Sequence, residues 1–235
     1  MPVSENIARV REQIEKAANR AGRDPEDITL MAVTKTVPPE RIREAYNAEL
    51  RTFGENRVQE FDGKRNALRD LAEAQWHMIG HLQSNKAANA VELFHAIESV
   101  DSLRLARKLN AAGQELGKKL PVLIEINIGG EQAKAGLAPD SAELLELFQA
   151  AQELPSLELQ GLMTVPPYAD DPEQSRPYFR KMYELSRKVD AMNLPGIGTK
   201  VLSMGMSHDF TVAIEEGSTC VRVGTAIFGE RPRAK

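Results

Sequence analysis

A single cysteine, Cys220, excludes any disulfide within the chain. It stands in the apolar run Cys220-Val221-Arg222-Val223 and reads as a small core residue, not a reactive thiol. A surplus of positive charge is also missing. With 34 acidic residues against 30 basic ones and a net charge of −4, no general field draws the chain to nucleic acid or anionic lipid, so a small-molecule partner is expected. No uninterrupted apolar stretch approaches membrane-spanning length, and Met1-Pro2-Val3-Ser4-Glu5 lacks the basic-then-apolar pattern of a signal peptide. A cytoplasmic protein is expected. There is no Pro-, Gly- and Ser-rich linker, internal repeat or low-complexity tract, so residues 1–235 are expected to form one domain.

Familiar catalytic signatures are incomplete. Gly113-Gln114-Glu115-Leu116-Gly117-Lys118 is one residue short of a phosphate loop, lacks the following Ser or Thr and falls at a helix end. Gly205-Met206-Ser207-His208-Asp209 ends in Asp where a nucleophile elbow needs Gly, and three consecutive residues cannot aim their side chains at one another as a triad. His77 and His81 have the spacing of zinc ligands on a helix, but their segment reads as a strand without an adjacent Glu. No metal is expected. Gly196-Ile197-Gly198 precedes a strand instead of following one and is no dinucleotide fingerprint.

What is present is a long alternation of strand and helix patterns. Val3, Ile7, Val10, Ile14 and Ala18 place a first helix ahead of any strand. The short, partly β-branched run Ile28 to Thr34 then reads as a strand covered on both faces. Further strands are expected at Thr52–Asn56, Trp76–His81, Phe94–Val100, Pro121–Asn127, Leu157–Val165, Lys200–Met204 and Thr219–Val223. Helical faces lie between them. They are Ile42, Ala45 and Tyr46; Val58, Phe61 and Leu68; Leu105, Leu109, Ala112 and Leu116; and Leu144, Leu147, Phe148 and Ala151. The clearest follows, with Tyr178, Met182, Leu185, Val189 and Met192 before a stop at Pro195-Gly196, and a short helix surrounds Ala213 and Ile214. Eight strands in such alternation predict a single (β/α)₈ TIM-type barrel. Six residues after Gly229 are too few for an eighth helix, so the extra N-terminal helix is expected to cover that face. An open doubly wound sheet is the alternative.

Candidate chemistry gathers at strand ends. Lys35 closes the first strand and is followed by Thr36-Val37-Pro38-Pro39, which suits a helix start. Carboxyl ends of strands are where such folds hold ligands, and a partly desolvated amine there can attack a carbonyl. Ser207 leaves the seventh strand, and Gly224 and Thr225 leave the eighth, the two loops with which barrels often hold phosphate. An amine beside a phosphate cradle fits an aldehyde that also carries a phosphate, and pyridoxal 5′-phosphate has both.

The same blocks identify a family by resemblance. Trp76-His77-Met78-Ile79-Gly80-His81-Leu82-Gln83-Ser84-Asn85-Lys86 is similar to the signature of the pyridoxal phosphate homeostasis proteins, single-barrel relatives of the alanine racemase N-terminal domain. Ala32-Val33-Thr34-Lys35, Phe53-Gly54-Glu55-Asn56, Ser203-Met204-Gly205-Met206-Ser207 and Arg222-Val223-Gly224-Thr225 resemble its other blocks, while Ala90 stands where a larger aliphatic residue is expected. The resemblance implies that Lys35 is the Schiff-base lysine, that Arg222 faces the pyridine nitrogen, and that Ser207, Gly224 and Thr225 hold the phosphate. It places Asn56 beside the ring and Asn127, Lys134 and Gly136 near the barrel mouth. An Arg partner only donates, so the ring nitrogen would stay unprotonated and strong carbanion chemistry is disfavoured.

These residues imply a carrier that buffers or delivers pyridoxal phosphate and thereby affects amino-acid and keto-acid balance, with pyridoxal-phosphate-dependent apo-enzymes as recipients. No catalytic residue is assigned, and a monomer is expected because no helix face is left in apolar excess. Two enzyme readings stand beside it. A racemase needs a second acid/base group, and Tyr168, after Pro166-Pro167, is the tyrosine placed to approach the mouth. A sugar-phosphate aldolase would use Lys35 on its substrate's carbonyl and be trapped by reductant only with substrate present.

Overall fold

Residues 2–194 and 196–230 are described in the computed structural model of the protein. Eight parallel strands, β1 (Thr29–Val33), β2 (Thr52–Glu55), β3 (Gln75–Met78), β4 (Ala96–Val100), β5 (Leu120–Glu125), β6 (Leu157–Met163), β7 (Ile197–Met206) and β8 (Cys220–Val223), pair in sequence order. β8 returns to β1 with Met31 opposite Arg222, so the ring closes as a barrel. The expected (β/α)₈ architecture is therefore present, and the open sheet is excluded.

The helices are α1 (Val3–Arg20), α2 (Pro39–Asn47), α3 (Val58–Arg65), α4 (Ala87–Leu93), α5 (Leu103–Glu115), α6 (Ala142–Ala150), α7 (Arg176–Ala191), α8 (Phe210–Glu215) and α9 (Thr225–Phe228). α1 buries Val3, Ile7, Val10, Ile14, Ala17 and Ala18 and packs against α2, α8 and α9. Each larger aliphatic among them contributes about 2 kcal/mol by leaving water. Among the described residues β8 is followed by the four-residue α9, and α1 packs against α9 and α8 on that flank.

Two apolar residues fall off their expected faces. Leu116 lies just past α5 and is 53% exposed, and Met192 lies just past α7 and is 45% exposed. Once the helix ends, its periodicity no longer places the next residue on the buried side. Phe179, one position from the expected face residue Tyr178, is fully buried instead. β7 is longer than expected, beginning at Ile197, while β3 ends at Met78 and leaves Ile79 and His81 in the loop. Of the helix stop expected at Pro195-Gly196, Pro195 lies outside the described residues.

The two halves of the ring are built differently. From β1 to β4 the pairing register runs without interruption, and outside it Phe53, Trp76, Phe61 and Phe94 form a chain of rings at centroid distances of 4.9, 4.7 and 5.0 Å. Each pair from β4·β5 to β7·β8 contains a register shift. At one shift, a Cβ on Gly161 would lie 1.8 Å from the Val201 carbonyl oxygen, so only glycine lets those strands approach. No described helix is long and apolar enough to cross a membrane.

Candidate functional site

The carboxyl ends of β1, β2, β7 and β8 surround a cavity of about 490 Å³ lined by Lys35, Asn56, Ser207, Arg222, Gly224 and Thr225. All six residues expected at a ligand site thus meet at one mouth. Lys35 lies two residues beyond β1 and is partly buried; Asn56 directly follows β2. A Cβ at Gly80 would sit 2.4 Å from the Asn56 carbonyl oxygen, so the loop after β3 needs glycine to pass behind that residue. The Ser99 hydroxyl donates to the Gly80 carbonyl at 2.6 Å and fixes the approach.

Beside β1 in the closed ring, at the exits of β7 and β8, the Ser207 hydroxyl oxygen accepts the N–H groups of Gly224 (3.1 Å) and Ala226 (3.3 Å). This bond ties the exit of β7 to the exit of β8. The hydroxyl keeps its own proton to give to an anion. Its neighbours are otherwise engaged: the Asp209 carboxylate accepts the Met206 N–H at 2.7 Å, and a His208 ring nitrogen lies 2.9 Å from the Asp170 carbonyl. Ser207, His208 and Asp209 therefore form no triad.

A buried polar chain crosses the lumen beneath the cavity. Arg222 Nη1 donates to Ser203 Oγ at 2.7 Å, Ser203 Oγ donates to Glu98 Oε2 at 2.5 Å, and His77 Nδ1 lies 2.8 Å from Glu98 Oε1. β4 and β7 are not neighbours in the ring, so the Ser203–Glu98 bond spans the interior. The second arm of the guanidinium, Nη2, donates to the Thr164 carbonyl at 2.7 Å. Burial pushes the Glu98 carboxyl up, but His77, Arg222 and Ser203 outweigh it, and its net shift is downward. An ionised Glu98 accepts from His77, which places the imidazole proton on Nδ1. The sequence reading did not assign Glu98 or Ser203, or a partner for His77. One signal was available: a carboxylate in the middle of Ala96-Ile97-Glu98-Ser99-Val100, a run buried on both faces, requires a partner inside the barrel.

Glu125, at the end of β5, was likewise not assigned. Burial, reinforced by Asp101, pushes its carboxyl up to about 7, against Arg222 and His81, and its Oε2 atom is shielded without a hydrogen-bond partner. Of the other residues expected near the mouth, Asn127 Nδ2 donates to the Glu131 carbonyl at 2.8 Å and shapes the loop after β5. Lys134 pairs with Glu131 and donates to the Pro166 carbonyl at 3.1 Å, joining that loop to the exit of β6. A Cβ on Gly136 would meet the Asn127 nitrogen at 2.8 Å. Tyr168 lines the cavity rim, 78% exposed, its ring 5.9 Å from that of His208. Cys220 is fully enclosed, and burial pushes its thiol up, away from reactivity. No group of three or more metal-ligating side chains occurs among the described residues.

A larger groove of about 800 Å³ lies at the other end of the barrel, between α1 and the starts of β1 and β2. Its polar lining is mainly carboxylates with Arg11 and Arg51, which pair with Glu49 and Glu73 at 3.7 and 2.8 Å. Its lining contains no amine and no hydroxyl-and-glycine cradle.

Fold and site together define a closed-barrel protein whose mouth presents an amine beside hydroxyl and backbone donors. The chain matches the family described as alanine racemase, N-terminal domain, over residues 6–232. It is 48% identical over 231 residues to an Aquifex aeolicus protein named pyridoxal phosphate homeostasis protein, covering 98% of this chain and 99% of that one. It is similar to the solved structure of PipY from Synechococcus elongatus with pyridoxal phosphate bound, at a TM-score of 0.84 and 38% identity, covering 97% of this chain and 100% of that one. The chain belongs to the pyridoxal phosphate homeostasis protein family. An alanine racemase from Clostridium difficile shares the fold at 20% identity and a TM-score of 0.70; the match covers 98% of this chain but 57% of the racemase.

Proposed function

We propose that this protein binds pyridoxal 5′-phosphate through Lys35 and keeps it in a reversible store, buffering it or delivering it to apo-enzymes that depend on it. The observation that carries the reading is the convergence of Lys35, Asn56, Ser207, Arg222, Gly224 and Thr225, from four strand ends, on one cavity. The residues fit the group. Asn56 Oδ1 is shielded and has no hydrogen-bond partner, so it is an acceptor for a donor on a ligand, and leaving it unpaired costs about 1–3 kcal/mol. Pyridoxal phosphate, when bound, supplies an aldehyde that condenses reversibly with a primary amine, and a phosphate by which it can be held.

Each side chain then has a role. Lys35 supplies the amine. Ser207, with the Gly224–Thr225 turn, gives the phosphate oxygens small, donor-rich surroundings. Arg222, locked by Ser203 and Thr164, can only donate, so a heterocyclic nitrogen against it would accept and remain unprotonated. Glu98 balances the buried guanidinium charge from across the lumen and fixes its fork.

Relatives carry the name of homeostasis proteins, and the carrier reading assigns no catalytic residue here. A racemase would need a second proton-transfer group facing Lys35. Tyr168 is the candidate at the rim, but its high exposure leaves the phenol largely in water. The test is the visible spectrum of the purified protein beside Lys35→Ala, followed by borohydride reduction and peptide mass mapping. A yellow wild type, a colourless variant and a pyridoxyl mass fixed on Lys35 are expected. A wild type that takes up no added pyridoxal phosphate would sink the reading, and racemase activity lost on Tyr168→Phe would turn the carrier into an enzyme.

A further inference from the structure

Lys35 stands between two threonines whose main chain is gripped from outside the barrel by one helix. On its N-terminal side, the Thr34 N–H donates to the Gly54 carbonyl at 2.9 Å and its hydroxyl donates to Glu55 Oε1 at 2.5 Å. The Thr34 carbonyl accepts Lys64 Nζ at 2.9 Å. On the other side, the Thr36 N–H donates to Glu60 Oε1 at 2.5 Å. Glu60 and Lys64 lie one turn apart on α3 and pair at 3.2 Å, and Lys64 also meets Glu55 at 2.7 Å. The three donors of the Lys64 ammonium thus match three acceptors: Thr34, Glu55 and Glu60.

Thr36 has a φ of 61°, the left-handed region. A β-branched residue there is an outlier, because Cβ crowds the main chain. Such a conformation persists only where surrounding contacts over-determine it, and such outliers cluster at functional sites. Here the contact is a charge-assisted hydrogen bond from the residue next to the amine to a helix that takes no part in lining the cavity.

We propose that Glu60 and Lys64 are positioning residues for Lys35: one turn of α3 holds the peptides on both sides of the amine, and Glu60 keeps Thr36 in the left-handed conformation that turns Lys35 toward the cavity. This rests on the reading that Lys35 bonds pyridoxal phosphate. Losing the Glu60 carboxylate lets Thr36 relax to negative φ and swings the peptide that follows Lys35. Glycine at position 36 has no Cβ to crowd, so it adopts positive φ without needing the anchor.

The test titrates pyridoxal phosphate into four proteins, wild type, Glu60→Ala, Glu60→Gln and the double variant Glu60→Ala with Thr36→Gly, and records the melting temperature of each. Glu60→Ala is expected to weaken binding about tenfold, the population cost of a non-glycine left-handed residue. Glu60→Gln, which keeps an acceptor oxygen, and the double variant are both expected within about threefold of wild type. Equal affinity in wild type and Glu60→Ala, or a double variant as weak as Glu60→Ala, overturns the proposal, because a merely structural loss would not be relieved by glycine. Hydrogen exchange of wild-type protein is a second measurement that depends on no variant folding. Slow exchange of the Thr36 amide is expected although the residue is exposed, and exchange at the unstructured rate would contradict the clamp. Borohydride labelling of wild type that misses Lys35 is a different failure, of the underlying reading and with it the clamp.

Discussion

The β1–β4 half of the barrel and the β5–β8 half reach the same mouth by different means. The first half is regular: its register is unbroken, its outer face is stapled by Phe53, Trp76, Phe61 and Phe94, and its strand ends carry Lys35 and Asn56. In the second half the pairings β5·β6, β6·β7 and β7·β8 are all shifted, and it delivers Ser207, Arg222, Gly224 and Thr225; only the seam where β8 returns to β1 runs in unbroken register. Register shifts re-aim side chains near a site, at a cost in pairing. The comparison teaches that Lys35 follows a regularly paired strand while the proposed anion cradle lies where the shifted pairings end, with the Arg222–Ser203–Glu98–His77 chain linking the two halves across the lumen.

The largest effect expected is in the regular half. Phe94→Ala removes a fully buried ring and should lower stability by about 3–5 kcal/mol in urea unfolding. In the shifted half, Gly161→Ala should cost about 3 kcal/mol, since its Cβ meets the Val201 carbonyl and the strands must part. If Gly161→Ala were neutral, the shift there would not depend on close approach. The link between the halves comes next. Glu98→Leu leaves a buried guanidinium without its counter-charge and should cost about 3 kcal/mol, whereas Glu98→Gln, which keeps acceptor and donor, should cost less.

A pH-dependent term sharpens the contrast. Glu125, in the shifted half, holds its proton to about pH 7 when folded, against an ordinary value of 4.5. Between those values the folded state binds more protons than the unfolded one, so stability falls as pH rises and the contribution is lost above about 7. Glu125→Gln should match wild type near pH 4.5 and exceed it at pH 8 by up to about 3 kcal/mol, measured as paired urea curves. Parallel curves for the two proteins at every pH would contradict this. The smallest stability effect is at Ser207: Ser207→Ala should cost about 1 kcal/mol, because the Gly224 and Ala226 N–H groups lose their acceptor, and should weaken pyridoxal phosphate binding by about tenfold.

Much of this was legible in the chain. The apolar runs separated by amphipathic helices gave the eight strands in order, and the apolar face of Val3, Ile7, Val10, Ile14 and Ala18 gave α1 as a packed helix ahead of β1. Lys35, Ser207, Gly224 and Thr225 were legible because strand ends set where a barrel's chemistry faces. Arg222 and Asn56 entered through the family resemblance. The lumen chain was not legible, since Glu98 and Ser203 are 105 residues apart and which inward residues meet depends on strand register and shift. The α3 clamp was hidden for another reason: Glu60 and Lys64 read as an ordinary surface pair on a helix, and nothing local announces that Thr36 takes positive φ.

The central claim is that the two halves meet on one ligand, the amine from the first and the anion cradle from the second. Its most direct test is parallel titration with pyridoxal phosphate and with pyridoxal, which keeps the aldehyde and lacks the phosphate, each followed by borohydride fixation and mass mapping. Binding at least about a hundredfold tighter for the phosphate form, with label confined to Lys35, is the expected result. Equal affinities, or label spread over surface lysines, would contradict it.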